Sequence, residues 1–137
     1  NNLKDYLVNF SRSFIYTTAL PPHSLATIQA SYNELNITEN TKKLNQNIKY
    51  FKAEVIKNKL ENIFIGSQSA IQCCIIPGND LVKSIAEKLQ KDGYDVKPIL
   101  SPTVPEGQER LRFCLHSYNS EKDILKVLQR LATLVKI

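Results

Sequence analysis

The run Ser101-Pro-Thr-Val-Pro-Glu-Gly-Gln-Glu-Arg-Leu-Arg112 constrains the fold more than any other stretch, because it forces a turn and then an extended segment. Pro102 and Pro105 restrict φ, and Gly107 permits a tight reversal, so Thr103 is held in a preset loop. Side chains alternate along the segment that follows. Leu111, Phe113 and Leu115 therefore form an apolar face, and Arg110, Arg112 and Cys114 project from the other. A planar guanidinium on such a platform can grip a carboxylate through two parallel hydrogen bonds. Taken alone, an Arg-x-Arg on the polar side of a half-buried strand is more often simply solvated or paired with a local acid.

The rest of the chain divides by character. Leu3, Leu7, Phe10 and Phe14 recur at helical spacing, and Pro21-Pro22 suits the start of a second helix reaching about Leu35. The polar stretch Asn36 to Thr41 predicts a break. Beyond it, Leu44, Ile48, Phe51 and Val55 form the apolar stripe of a lysine-rich helix. After Glu61-Asn62 the pattern changes: Ala70 to Ile76 is a continuous apolar run that reads as a central strand ending at Pro77-Gly78. Asn79 or Asp80 can cap a helix carrying Leu81, Ile85 and Leu89, which Asp92-Gly93 ends. A short strand near Tyr94 to Leu100 contains Pro98 and so belongs at an edge. Ser120 caps a last helix with Ile124, Leu128, Leu131 and Val135 on one side. The expected fold class is α/β (α+β): a helical part, residues 1–61, then a small sheet covered on one face by two helices, residues 62–137.

Composition narrows the function classes. Hydrophobic residues at 42% and charged residues at 23% place the chain among globular proteins. The absence of Met and the opening Asn1-Asn2 suggest a fragment or a processed domain. No charged leader precedes an apolar segment, and no apolar run approaches the ~20 residues that span a bilayer, so a cytoplasmic protein without a membrane partner is expected. Cys73, Cys74 and Cys114 have neither disulfide-framework nor zinc-ligand spacing, and reduced structural roles are expected. The net charge of +5 raises nucleic-acid binding, but Lys42, Lys43, Lys49, Lys52, Lys57 and Lys59 fit the solvent side of the amphipathic helix, so no nucleic-acid partner is expected. No metal is expected either. His23 and His116 lack suitably spaced partners, and nothing supplies an activated nucleophile, an acid/base pair or a phosphate loop.

Three segments resemble one family. Ser101 to Arg112 resembles the Pro-Thr-Val-Pro-x-Gly-x-x-Arg-Leu-Arg pattern of the α-oxoamine synthases, pyridoxal-phosphate (PLP) acyltransferases that condense an amino acid with an acyl thioester. Phe14-Ile-Tyr-Thr-Thr-Ala-Leu-Pro-Pro22 is similar to the segment that follows the family's cofactor lysine. Ser69-Ala-Ile-Gln72 resembles the entry to the first strand of the small domain in the family's biotin-pathway branch. These matches keep the family's order, and the resemblance runs from about Lys4 to Leu134. One position departs: Leu100 stands where that branch often has Arg.

The resemblance implies the C-terminal portion of a fold type I PLP enzyme, with residues 1–61 from the end of the large domain and the interdomain helix. It implies that Arg112 binds the amino acid's carboxylate and Thr103 offers a hydroxyl at the mouth of the site. Thr17, or alternatively Thr18, would reach the PLP phosphate of the other subunit of a homodimer. No catalytic residue falls in this chain: the lysine that carries PLP, the pyridine-pairing aspartate and the ring-stacking histidine all lie upstream. The implied substrates are L-alanine and a pimeloyl thioester, with glycine- or serine-using branches as the alternative. A free-standing basic module that binds an anionic partner through Arg110, Arg112 and the lysine-rich helix is the rival outside the family.

Overall fold

Pro21 and Pro22 fix where the N-terminal helices break. The computed structural model describes residues 2–135, and its contacts divide the chain into two compact units, Asn1–Thr38 and Glu39–Ile137. In the first, α1 (Asn2–Phe10) and α2 (Arg12–Ile15) meet at Ser11, and α3 (Pro22–Ile37) starts with proline at a position whose missing N–H leaves no helical bond unmade. Neither α1 nor α2 contains a buried residue. The expected polar break after Leu35 contracts to Thr38 and Glu39, because α3 runs through Ile37 and α4 (Asn40–Lys57) begins directly afterwards.

The second unit holds the core. Beyond α4 come β1 (Ile71–Ile75), α5 (Asn79–Lys91), β2 (Lys97–Ile99), β3 (Arg110–Cys114) and α6 (Glu121–Val135). The sheet has the order β1-β3-β2 and is antiparallel throughout. The central strand is thus β3, which corrects the reading of Ala70 to Ile76 as central. The apolar run of β1 has another cause. Its outer edge is covered by the preceding chain, where Ile65 N–H donates to Cys73 O at 2.9 Å and Ile75 N–H donates to Ile63 O at 2.7 Å. β2 is the short edge strand that Pro98 requires.

Leu111 and Phe113 of β3 are buried with Leu115 on the covered side of the sheet, as alternation demands. Opposite them stand Val82, Ile85, Ala86 and Leu89 of α5 and Ile124, Val127, Leu128 and Leu131 of α6. A third helix joins these two. The α4 stripe, with Ile48, Phe51 and Val55 buried, belongs to the same core, and Phe51 contacts Phe64 and Phe113 at ring separations of 5.6 and 5.7 Å. Although the sequence changes character at Glu61-Asn62, the compact unit therefore starts at Glu39, because that stripe packs with α6.

Two local readings change. Neither Asn79 nor Asp80 caps α5: Gly78 occupies the cap position with φ 98°, a left-handed value that favours glycine. The buried face of α5 is set by Val82, while Leu81 is 52% exposed. Ser120 does cap α6, its Oγ accepting from Asp123 N–H at 3.1 Å.

Candidate functional site

The uncovered face of the sheet carries the arginines. Arg112 occupies the middle of β3, with Cys73 of β1 and Lys97 of β2 as its register partners. Its side chain is exposed, and among the described residues no hydrogen bond or ion pair engages the guanidinium. Arg110 lies between Ile75 and Ile99 and is half-buried, with Nε donating to Gln108 O at 2.9 Å. Lys97 is tied to Asp95 at 2.6 Å. Arg112 is thus the arginine left free to bind an anion.

The thiols around it are free. Burial pushes the Cys73 thiol up while Arg110 and Arg112 pull it down, and burial in the core pushes Cys74 up to about 12. Both shifts favour the protonated thiol over the thiolate. Cys114 is exposed beside the arginines.

Thr103 is exposed in the turn that leads into β3, so it and Arg112 belong to one continuous piece of backbone in one unit. Turn bonds shape the loop: Val104 N–H donates to Leu100 O at 3.2 Å and Gln108 N–H to Pro105 O at 3.0 Å. Leu100 itself is half-buried against the core. Two side chains that the sequence reading did not assign to the site hold the loop's ends. Asn79 Oδ1 accepts from Ser101 N–H at 3.0 Å while its Nδ2 donates to Ser101 O at 3.3 Å. Glu109, only 2% exposed, accepts from Gly78 N–H at 2.9 Å. That bond, with those of its own and Gly107's N–H, holds the Glu109 carboxyl below the usual carboxylate range against the opposing effect of burial. Glu109 shares parity with Leu111 and Phe113, a signal in the sequence from which its inward position could have been read. A buried acid requires such partners.

Thr17 and Thr18 lie in the non-helical connector between α2 and α3, in the other unit. Both are exposed, and Thr17 Oγ1 sits 3.5 Å from Thr18 O, at the outer limit of a hydrogen bond. Their hydroxyls are available to an external acceptor. His116 stacks on Tyr118 at 4.8 Å, and its backbone is held by Asn47 and Asn119, so its role is local. Among the described residues no group of His, Cys, Asp and Glu could hold a metal ion, and no helix is long and apolar enough to cross a membrane.

Helices leading into a small antiparallel sheet that is covered on one side are the architecture of the C-terminal part of fold type I PLP enzymes. The chain belongs to the aminotransferase class I and II family, whose model matches residues 1–131. Among its relatives it is 35% identical over 136 residues to an 8-amino-7-oxononanoate synthase of Emericella nidulans, covering 95% of this chain and 33% of that protein. An 8-amino-7-oxononanoate synthase of Photorhabdus laumondii is 33% identical over 128 residues, covering 93% and 33%. The crystal structure of 8-amino-7-oxononanoate synthase from Francisella tularensis superposes with a TM-score of 0.77 at 32% identity, covering 99% of this chain and 39% of that one. A serine palmitoyltransferase of S. paucimobilis, solved with bound PLP and myriocin, superposes at 0.74 with 20% identity, covering 95% and 33%, and shares the fold. The chain spans about a third of the length of the curated relatives named here.

Proposed function

We propose that this chain is the C-terminal part of a PLP-dependent acyltransferase that condenses L-alanine with pimeloyl-CoA, or pimeloyl carrier protein, and releases CO2 to give 8-amino-7-oxononanoate for biotin synthesis. In this reading residues 1–61 close the large domain and residues 62–137 form the small one, in a cytoplasmic homodimer. The observation that carries the proposal is the free, exposed Arg112 guanidinium at the centre of the sheet's uncovered face. The names of the relatives supply the substrate class.

Arg112 grips the amino acid's carboxylate through two parallel hydrogen bonds. That grip orients the Cα–H bond for proton removal and keeps the carboxylate in place until it leaves as CO2. Thr103, on the turn preceding β3, offers a hydroxyl to the acyl thioester at the mouth of the site. The available hydroxyls of Thr17 and Thr18 suit a phosphate ester, which is rich in acceptor oxygens, and Thr17 is assigned to hold it across the dimer. Bound PLP would supply the electron sink that stabilises negative charge at Cα. The lysine that carries PLP is assigned to the preceding part of the protein, so residues 1–137 alone are expected to be inactive. Leu100, half-buried against the core, offers no cation to a distal acyl carboxylate, which keeps the glycine- and serine-using branches as the second reading.

The test is the full-length gene product, assayed by mass spectrometry with pimeloyl-CoA and each of L-alanine, glycine and L-serine. Formation of 8-amino-7-oxononanoate with L-alanine supports the proposal. Product with glycine or serine alone moves the chain to the second reading. A colourless protein that forms no product and binds anionic polymers with salt-dependent affinity would leave the free-standing basic module.

A further inference from the structure

The Ser101–Glu109 loop is pinned at both ends to one short turn, Pro77 to Asn79. At the first end a single side chain satisfies both backbone groups of Ser101: Asn79 accepts from its N–H at 3.0 Å and donates to its carbonyl at 3.3 Å. At the other end the buried Glu109 carboxylate accepts from Gly78 N–H at 2.9 Å. Between the two braces lies a depression of about 460 Å³ lined by Pro77, Gly78, Asn79, Ser101, Glu106 and Glu109. The loop and the turn thus meet through polar side chains at the two edges of this depression. Thr103 lies two peptide bonds beyond the Asn79 anchor and is itself exposed, so the anchor limits where its hydroxyl can be.

We infer that Asn79, with Glu109 bracing the far end of the loop, is a positioning residue that fixes the Thr103 hydroxyl for the acyl substrate. The inference rests on the role proposed for Thr103. Arg112 is not hung on this brace: it sits in the middle of β3, held on both sides by strand pairing. Losing Asn79 should thus disturb the acyl step and spare amino-acid binding. A change that merely loosened the fold would affect both.

The test is a double-mutant cycle in the full-length holoenzyme, with Asn79→Ala and Thr103→Ala made singly and together, reading kcat/KM for the acyl thioester and Kd for L-alanine. Each single variant should lose about ten- to a hundredfold in kcat/KM, the order expected for a misplaced substrate group. The double variant should be no worse than the poorer single one, and the L-alanine Kd should stay within about twofold. Asn79→Asp keeps the acceptor for Ser101 N–H but turns a second acceptor oxygen toward the Ser101 carbonyl, so it should recover only part of the lost rate. Should Asn79→Ala not fold, Asn79→Ser takes its place, because its short hydroxyl cannot reach both groups of Ser101. Additive losses, or an L-alanine Kd that weakens in step with kcat/KM, would overturn the inference while leaving Thr103 in the site. An unaffected Thr103→Ala enzyme would remove the underlying role of Thr103, and the inference with it.

Discussion

At the residue scale, an exposed guanidinium in β3 and a buried carboxylate just before that strand can each be tested by substitution. Arg112 is exposed on the uncovered face, and Arg112→Lys in the full-length enzyme exchanges a two-bond clamp for a point charge. Amino-acid binding should weaken by roughly 1.5–3 kcal/mol, and titration calorimetry with L-alanine measures it directly; an unchanged dissociation constant would remove Arg112 from the site. Glu109 makes a different prediction, because its folded pKa is depressed, first by Gly78 N–H. A depressed carboxyl stabilises the fold fully above its unfolded pKa of about 4.3, and that contribution fades as pH falls through the lower folded value. Glu109→Gln does not titrate. The stability gap between wild type and variant, read from urea midpoints, should be widest at neutral pH and narrow progressively as pH falls below the unfolded value of about 4.3. A gap that persists unchanged to about pH 3 would show that the carboxylate's charge is not what the Gly78 bond uses.

The helices and strands show where periodicity suffices and where partners decide. Stripes in α4 and α6 and alternation in β3 were readable because each buries one face, and burial imposes the period. The rank of β1 was not readable: an apolar run states that both edges or both faces are covered, and here the cover over one edge is the irregular segment around Ile63 to Ile65. Nor could periodicity choose between Leu81 and Val82 on α5, since Ile85 and Leu89 stand at helical spacing from either residue and only the facing core decides which one is buried. In the candidate site, the exposed places of Arg112 on its strand and Thr103 in its turn were legible from sequence, whereas Asn79 resembled an ordinary cap until Ser101 stood opposite it. Energetics should follow the same division. Phe51 is fully buried and contacts both Phe64 and Phe113, so Phe51→Ala should destabilise the protein by about 3–5 kcal/mol. Leu81→Ala, at a half-exposed position, should stay within about 0.5 kcal/mol in the same urea titration. Equal losses would mean that α5 packs in a different rotation.

At the scale of the whole molecule, the two units differ in how they satisfy their own surfaces. The Glu39–Ile137 unit encloses a continuous core, while Phe10, Phe14, Tyr16, Leu20 and Tyr32 of the first unit are each more than half exposed. Exposed apolar side chains on the three helices and their connector fit a segment that packs against a partner, and the chain covers about a third of its relatives' length. The proposed partners are the preceding large domain and a second subunit, with Thr17 reaching the phosphate of the other subunit's PLP. A group held across a subunit boundary has a retention that depends on assembly, because the ligand binds the dimer and not the separated chains. Thr17→Ala should therefore weaken PLP retention by roughly 1.5–3 kcal/mol, the range for a hydrogen bond to a charged group. The loss should grow when the protein is diluted toward its dissociation range. Gel filtration of the full-length enzyme at two concentrations, with absorbance read for protein and PLP together, measures both effects, and Thr18→Ala serves as the alternative donor. If PLP loss is the same at both concentrations in the Thr17→Ala enzyme, the hydroxyl acts within one subunit. If neither variant releases PLP more readily, the connector between α2 and α3 has no part in holding the cofactor.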